Sequence, residues 1–231
     1  MKKVLFGIAP LLLGAIALAP SASATAACVN GTYDSYTVGT GISCTIDGLT
    51  FSNFTFGSSG TTVLGSSTVS VKVINGPTFG FEFDTSMSAG ANQTEDILVS
   101  FVVSGIISDL HASFNGAFTG TGTSSDTETY CQNGTVLPPA SNCSGQNQVL
   151  GQVKLTNPPF VLTIPPVNFS PSLSSVAISK DINVTGGSEG TATISQITDT
   201  FSTPVPEPMT LSLMGVGLLG LGLLRKKVGR S

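Results

Sequence analysis

The two ends of the chain carry its long apolar segments, and each segment is bordered by basic residues. At the amino terminus two lysines precede an apolar run over residues 4–19, and Ala22-Ser23-Ala24 follows it. This order is typical of a secretory signal peptide, because the peptidase accepts only small side chains at the first and third positions before the cut. We therefore expect residues 1–24 to form a signal helix that is removed on export.

The carboxyl-terminal apolar segment has the composition of a membrane helix. Residues 209–224 carry no charge and include four glycines. From Pro208 the uncharged stretch is about 17 residues long, which is near the lower limit for crossing a bilayer. Arg225, Lys226 and Lys227 follow it directly. Because clustered positive charge resists translocation, this basic tail predicts a transmembrane helix over 209–224 with the tail in the cytoplasm and the preceding domain outside.

A short proline motif, Pro206-Glu207-Pro208, stands directly ahead of this segment. Its two prolines disfavour both helix and strand pairing, so we expect an extended and accessible backbone there. An extended segment just above a membrane is one that a processing enzyme could grip.

The order of these three parts, over residues 204–230, resembles the PEP-CTERM sorting signal of Gram-negative and related bacteria. The same kind of tail also bears the family name ice-binding protein C-terminal domain. The resemblance implies that exosortase, a membrane-embedded cysteine protease, recognises Pro206, Glu207 and Pro208. It further implies export, membrane anchoring by the carboxyl-terminal helix at least until processing, and a final place on the cell surface or outside the cell.

The segment between the ends, residues 25–203, is acidic and poor in charge. It holds three lysines against twelve acidic residues, a net charge of −9. A domain with this balance cannot neutralise phosphates, which excludes nucleic acid as a partner.

Apolar and polar residues alternate with period two along several stretches of the middle segment. The alternating stretches are residues 69–73, 79–83, 176–182 and 192–196, and the apolar run 97–103 reads as a central strand. Breaks at Asn75-Gly76, Asn115-Gly116 and Gly186-Gly187 separate such runs. Since no helical period appears, the pattern predicts an all-β domain, an antiparallel β-sandwich or a jelly-roll-like ectodomain.

The four cysteines are Cys28, Cys44, Cys131 and Cys143. An even number in an exported chain indicates disulfides, and three pairings are open. We favour Cys28–Cys44 and Cys131–Cys143, because each pair brackets a polar, turn-rich loop. A zinc site is disfavoured, because the chain has a single histidine and no closely spaced cysteine pair.

We expect a first core strand directly after Cys44. Phe51, Phe54 and Phe56 lie close together there. They read as the apolar face of a strand behind a disulfide-tied loop.

The sequence offers little chemistry for catalysis. His111, with Asp109 nearby, lacks a GxSxG context and reads as a surface strand residue. The acidic pairs Asp126/Glu128 and Glu95/Asp96 could donate oxygens to Ca²⁺, but neither has EF-hand spacing, so we expect solvated loop acids. We therefore assign no catalytic residue, no metal ligand and no cofactor, with calcium as the one candidate ion.

These observations favour an exported, exosortase-sorted protein of the surface or extracellular matrix, of structural or adhesive type and without enzymatic activity. The first alternative is an extracellular carbohydrate- or calcium-binding β-sandwich module, with an extracellular polysaccharide as its candidate partner. The second alternative is a secreted hydrolase.

Overall fold

The computed structural model describes residues 25–39, 42–132, 135–137, 142–144, 150–159 and 161–204. For residues 135–137, 142–144 and 150–156 it describes the backbone only. The predicted signal helix 1–24, the proline motif, the helix 209–224 and the basic tail all lie outside the described residues.

The described chain is built almost entirely of β-strands, as the sequence predicts. One short helix, α1 (Asp34–Thr37), and a single 3-10 turn (Ser66–Thr68) interrupt them. The strands are β1 (Gly31–Thr32), β2 (Ser43–Ile46), β3 (Leu49–Gly60), β4 (Ser70–Ile74), β5 (Phe79–Ala89), β6 (Thr94–Thr119), β7 (Thr123–Gln132), β8 (Thr135–Leu137), β9 (Asn142–Ser144), β10 (Leu150–Asn157), β11 (Val167–Thr185) and β12 (Thr191–Ser202). All pairings between these strands are antiparallel.

The long strand β6 belongs to two layers at once. One edge of β6 pairs with β11 over residues 94–110, while the opposite edge pairs first with β3 over 95–104 and then with β12 over 109–119. Ten of the described strands form one continuous hydrogen-bonded sheet. Within it, the first half of β6 lies in a layer with β2, β3, β11, β7 and β10, and the second half in a layer with β12, β5, β4 and β1. The prediction of a central strand at 97–103 is confirmed.

The two layers face each other across a core of aromatic rings. The ring centroids of Phe51 on β3 and Phe81 on β5 are 4.8 Å apart, although the two strands lie in different layers. Tyr33 is fully buried in the same core, and its hydroxyl donates to the carbonyl oxygen of Ser100 at 2.9 Å. Burial of each such side chain stabilises the fold by roughly 1.5–3 kcal/mol. This β-sandwich-like arrangement confirms the predicted fold class.

The predicted core strand at Phe51, Phe54 and Phe56 is confirmed with one irregularity. Phe51 is fully buried, and Phe54 and Phe56 pack against the core although they have the opposite parity. A register shift between Ser52 and Thr55, with Asn53 at φ +56°, inserts the extra residue that reverses the parity.

Two of the three predicted breaks lie between consecutive strands, and the third is wrong. Asn75-Gly76 lies between β4 and β5, and Gly186-Gly187 lies between β11 and β12. Asn115-Gly116 lies inside β6 instead. Gly116 is needed there for close packing, because a Cβ would stand 2.7 Å from the Ser124 hydroxyl and 3.0 Å from the Thr193 carbonyl oxygen.

A disulfide joins Cys28 to Cys44, which confirms the first favoured pair. It ties the amino-terminal segment to β2, where the Cys28 amide also donates to the Thr45 carbonyl oxygen at 3.0 Å. Cys131 is disulfide-bonded too. The side chain of Cys143 lies outside the described residues, so the pair Cys131–Cys143 stays a prediction.

Over the ranges that the structure describes, no helix has the length and apolar character that a membrane crossing requires.

Substitution of Gly105 by alanine should destabilise the domain by at least about 2 kcal/mol. Gly105 has φ +141° and lies between the β3-paired and β12-paired halves of β6. A Cβ there would stand 2.7 Å from the Leu49 side chain. Urea unfolding measures the effect. Gly57→Ala is the matched control, because its Cβ would meet only ordinary contact at 3.8 Å. Equal midpoints for the two variants would contradict the prediction.

Removal of the first disulfide by the double change Cys28→Ala and Cys44→Ala should lower the free energy of unfolding by about 3 kcal/mol, the value for a loop of roughly 15 residues. The cysteines are 16 residues apart, and both are buried, so alanine leaves no unpaired polar group. Denaturant unfolding without reductant checks this. An unfolding midpoint equal to that of the parent protein would contradict a stabilising role for this disulfide.

Candidate functional site

The most unusual group in the described core is a lysine enclosed by three acidic side chains. Lys180 on β11 is fully buried, and so are Asp126 and Glu128 on β7 and Asp199 on β12. We call these four residues the buried cluster. Lysine, aspartate and glutamate are almost never fully buried unless they are paired, so this group needs a physical explanation.

The strand register brings the cluster together. Glu128 is directly opposite Lys180 in the β7–β11 ladder, and Asp126 is opposite Ile182, two residues further along the same face. Asp199 comes from the facing layer, where its backbone partners are Phe81 and Ala112. The cluster therefore spans the sandwich from β7 and β11 to β12.

The ammonium of Lys180 contacts the three carboxyls unequally. Its Nζ donates to Glu128 Oε2 at 2.5 Å and to Asp126 Oδ2 at 3.1 Å. Asp199 Oδ2 lies 3.9 Å from Nζ, beyond hydrogen-bond range. Among the described residues, neither oxygen of Asp199 has a hydrogen-bond partner, and one oxygen each of Asp126 and Glu128 also lacks one.

The cluster cannot keep all three carboxyls charged. One ammonium against three carboxylates would leave two negative charges in a dry core, and an unpaired buried charge costs several kcal/mol. Burial raises the pKa of all three carboxyls, and the positive charge of Lys180 offsets only part of this. The pKa of Asp199 is raised most clearly, by burial first and then by the nearby charge of Glu128.

Lysine has the opposite response to burial. Burial alone lowers the pKa of Lys180, but the negative charges of the three carboxyls outweigh it and raise the pKa above its ordinary value. The cluster as a whole therefore retains protons. The arrangement that leaves no net charge has one carboxylate paired with the ammonium and two neutral carboxyls.

The expectation of solvated loop acids is wrong, because all four residues lie in strands and three of them are buried. Asp126 and Glu128 are completely buried in a strand, and Glu95 is only 6% exposed. Glu95 Oε2 accepts a hydrogen bond from the Ser88 amide at 2.9 Å. The parts of the chain that the structure describes hold no group of three or more His, Cys, Asp or Glu placed to bind a metal ion. In the buried cluster, the ammonium of Lys180 lies where a cation would have to bind.

The sequence did contain a signal for the buried lysine. Lys180 has the same parity as Ile178 and Ile182, and that face is completely buried. Asp126 and Glu128 likewise share one parity along β7. Reading Lys180 as a member of its apolar face would have placed it inside, whereas the β7 face of Asp126 and Glu128 also carries Ser124 and gives no such signal.

His111 lies on β6 beside a small cleft. The cleft has a volume of about 220 Å³ and is lined by His111, Ala112, Ser113, Thr163, Ile164, Thr198 and Thr200. The imidazole is 36% exposed, and its Nε2 lies 3.3 Å from Asp109 Oδ1. The same Asp109 oxygen accepts a hydrogen bond from the Ser202 amide at 2.9 Å. His111 is thus a partly exposed strand residue, and the absence of catalysis stays a prediction.

Comparison with known proteins identifies the tail. Residues 204–227 match the family model of the PEP-CTERM protein-sorting motif. The match covers Pro206, Glu207 and Pro208 together with the basic residues Arg225 to Lys227. The chain therefore carries the sorting motif of exported proteins that an exosortase processes.

The remaining comparisons say little about the β domain. No curated protein matches the chain. One solved structure, TmCBM61 in complex with β-1,4-galactotriose, is similar over 62% of this chain and 86% of that chain, at 12% identity and a TM-score of 0.28. A likeness at this level transfers neither a ligand nor a binding site.

Substitution of Lys180 by methionine should destabilise the domain by about 3–5 kcal/mol, because the buried carboxyls then lose their counter-charge. Lys72→Met is the matched control, because Lys72 pairs with Glu82 and Asp84 at an exposed position on the surface. The control should unfold close to the parent protein. Urea unfolding at neutral pH measures both, and equal effects would contradict a special role for the buried lysine.

The stability of the Lys180→Met variant should also fall as the pH rises. Burial raises the pKa of the three carboxyls in the folded state, so their contribution to stability is fully present below their unfolded pKa of about 4 and is lost as the pH rises through the higher folded values. Urea unfolding at a series of pH values from acidic to neutral checks this. Adding Asp126→Asn, Glu128→Gln and Asp199→Asn should flatten the profile, and a flat profile without these changes would refute the assignment.

Proposed function

We propose that the protein is a non-enzymatic, structural or adhesive component of the bacterial cell surface or extracellular matrix. The observation that carries this proposal is the place of the sorting motif. The last strand, β12, ends at Ser202, and the matched motif begins at residue 204. A folded β domain is therefore followed at once by the segment through which an exosortase would handle it.

Structural features of the domain support a function outside the cell. The disulfide Cys28–Cys44 needs an oxidising compartment to persist. The aromatic core and the buried cluster hold the two layers together. Lys72 pairs with Glu82 and Asp84 at the surface, and the net charge of −9 over residues 25–203 favours solubility outside the cell.

The proposed route is export, transient insertion of residues 209–224 in the membrane, and processing by an exosortase. The partners this implies are the exosortase and the membrane before processing. The alternatives drawn from the sequence, a carbohydrate- or calcium-binding module and a secreted hydrolase, stay predictions. A glycan array and melting temperatures with and without Ca²⁺ test the first of them.

Replacement of Pro206, Glu207 and Pro208 by alanine should leave export intact but block processing of the tail. The physical reason is that the changed segment loses the extended backbone and the carboxylate that the protease would bind. Cell fractionation with an intact-mass measurement of the product in the native host reads the result. Glu189→Ala, on the exposed turn before β12, is the control and should be processed normally. A product of unchanged mature mass from the triple variant would refute the role of the motif.

A further inference from the structure

The buried cluster holds the three groups that an amide-forming condensation requires. The groups are the amine of Lys180, the carboxyl of Asp199, and the carboxyl of Glu128, which can exchange protons with the amine. All three lie in a site that is closed to solvent. Burial favours the neutral, nucleophilic form of Lys180, but the three carboxyls favour its ammonium form, so the amine can attack only after a neighbouring carboxylate has taken its proton. The close contact between the groups also removes the entropic cost of bringing them together.

We propose that Lys180 and Asp199 condense into an isopeptide bond that joins β11 to β12 across the sandwich, with Glu128 as the group that accepts the lysine proton. In the structure the two side chains are in contact but not bonded, with Nζ 3.9 Å from Asp199 Oδ2. The proposal concerns this chain's own core and does not depend on the proposed surface function.

The roles follow from the hydrogen bonds. Glu128 and Asp126 accept hydrogen bonds from the ammonium, so the negative charge of the cluster belongs with them. Asp199 has no hydrogen bond on either oxygen within the described residues and is completely buried. Asp199 is therefore the carboxyl on which a negative charge would be stabilised least. A neutral carboxyl is the form that an amine attacks, because a carboxylate repels the incoming electron pair.

The reaction is balanced without an oxidant or a co-reactant. The ammonium of Lys180 gives one proton to the Glu128 carboxylate, and the free electron pair on Nζ attacks Cγ of neutral Asp199. The new C–N bond forms, the C–O bond to the Asp199 hydroxyl breaks, and the hydroxyl leaves with a proton from nitrogen as one water molecule. Lys180 and Asp199 end as an amide, and Glu128 ends protonated.

The position of the bond gives it a mechanical consequence. β11 and β12 are consecutive strands joined by the turn at Gly186-Gly187, yet Lys180 and Asp199 lie in facing layers. A covalent link between them would keep the two layers together when the chain is pulled or heated. It would also replace two ionisable groups in the core by one neutral amide.

Peptide mapping of the full-length protein, purified in folded form, tests the bond. The reduced and denatured protein is digested with trypsin and chymotrypsin, which cut after basic and aromatic residues. Residues 170–201 contain Lys180 as their single basic residue and end at Phe201. We expect this segment as one peptide, uncut at Lys180 and lighter than its sequence by one water. Fragment spectra should place the link between Lys180 and Asp199.

Three results would overturn the proposal. The first is cleavage after Lys180 in the folded wild-type protein with both fragments at their sequence masses. The second is loss of water together with normal cleavage at Lys180, which would indicate a cyclised aspartate. The third is a link from Lys180 to the peptide 119–130, which contains Asp126 and Glu128 and would exclude Asp199 as the partner.

Two variants sharpen the assignment. Glu128→Gln keeps the size and hydrogen bonding of the side chain but cannot take the proton, and Asp199→Ala removes the carboxyl. Both should restore trypsin cleavage after Lys180 and the full sequence mass. Lys72→Met is the control and should keep the link. A persistent link in a folded Glu128→Gln protein would reject the role of Glu128, and the wild-type peptide map decides on the bond even if a variant fails to fold.

Discussion

The buried side chain of Lys180 makes the contacts on which the packing of the two layers depends most. Without it, three carboxyls from β7 and β12 would meet in a dry core, where each unpaired charge costs several kcal/mol. With it, Asp126 and Glu128 are held in one layer and face Asp199 in the other. The aromatic contact between Phe51 and Phe81 closes a second part of the same interface, so polar and apolar contacts both join the layers.

The single strand β6 makes this interface possible. Because its two halves pair with β3 and β12 in turn, the layers are continuous at one side and need no separate hinge. Gly105 permits the passage from one layer to the other, since a side chain there would collide with Leu49. The disulfide Cys28–Cys44 further stabilises this domain, and a PEP-CTERM sorting motif follows it. Both features suit a domain that is exposed outside the cell.

Much of the local structure followed from the sequence. The alternation at 69–73 and 79–83 predicted β4 and β5, and the apolar run 97–103 predicted a central strand. The cysteine spacing predicted the disulfide to Cys44. The predicted break at Asn115-Gly116 was wrong. The sequence alone does not distinguish a glycine that ends a strand from one that is needed because another chain segment packs closely against it. The bulge at Asn53 was also invisible, since only the partner strand shows that a residue is extra.

By itself, the sequence determined that the chain carries a carboxyl-terminal sorting motif, that the middle forms strands, and which side chains alternate along the regular stretches of those strands. Only the tertiary structure decided that the inward face includes a lysine and three acids. The physical reason is distance along the chain: Lys180 is 54 residues from Asp126 and 52 from Glu128, and its partners are chosen by strand order and register. Alternation is a local property of the backbone, whereas the neutralisation of a buried charge requires a partner that only the assembled sheets supply.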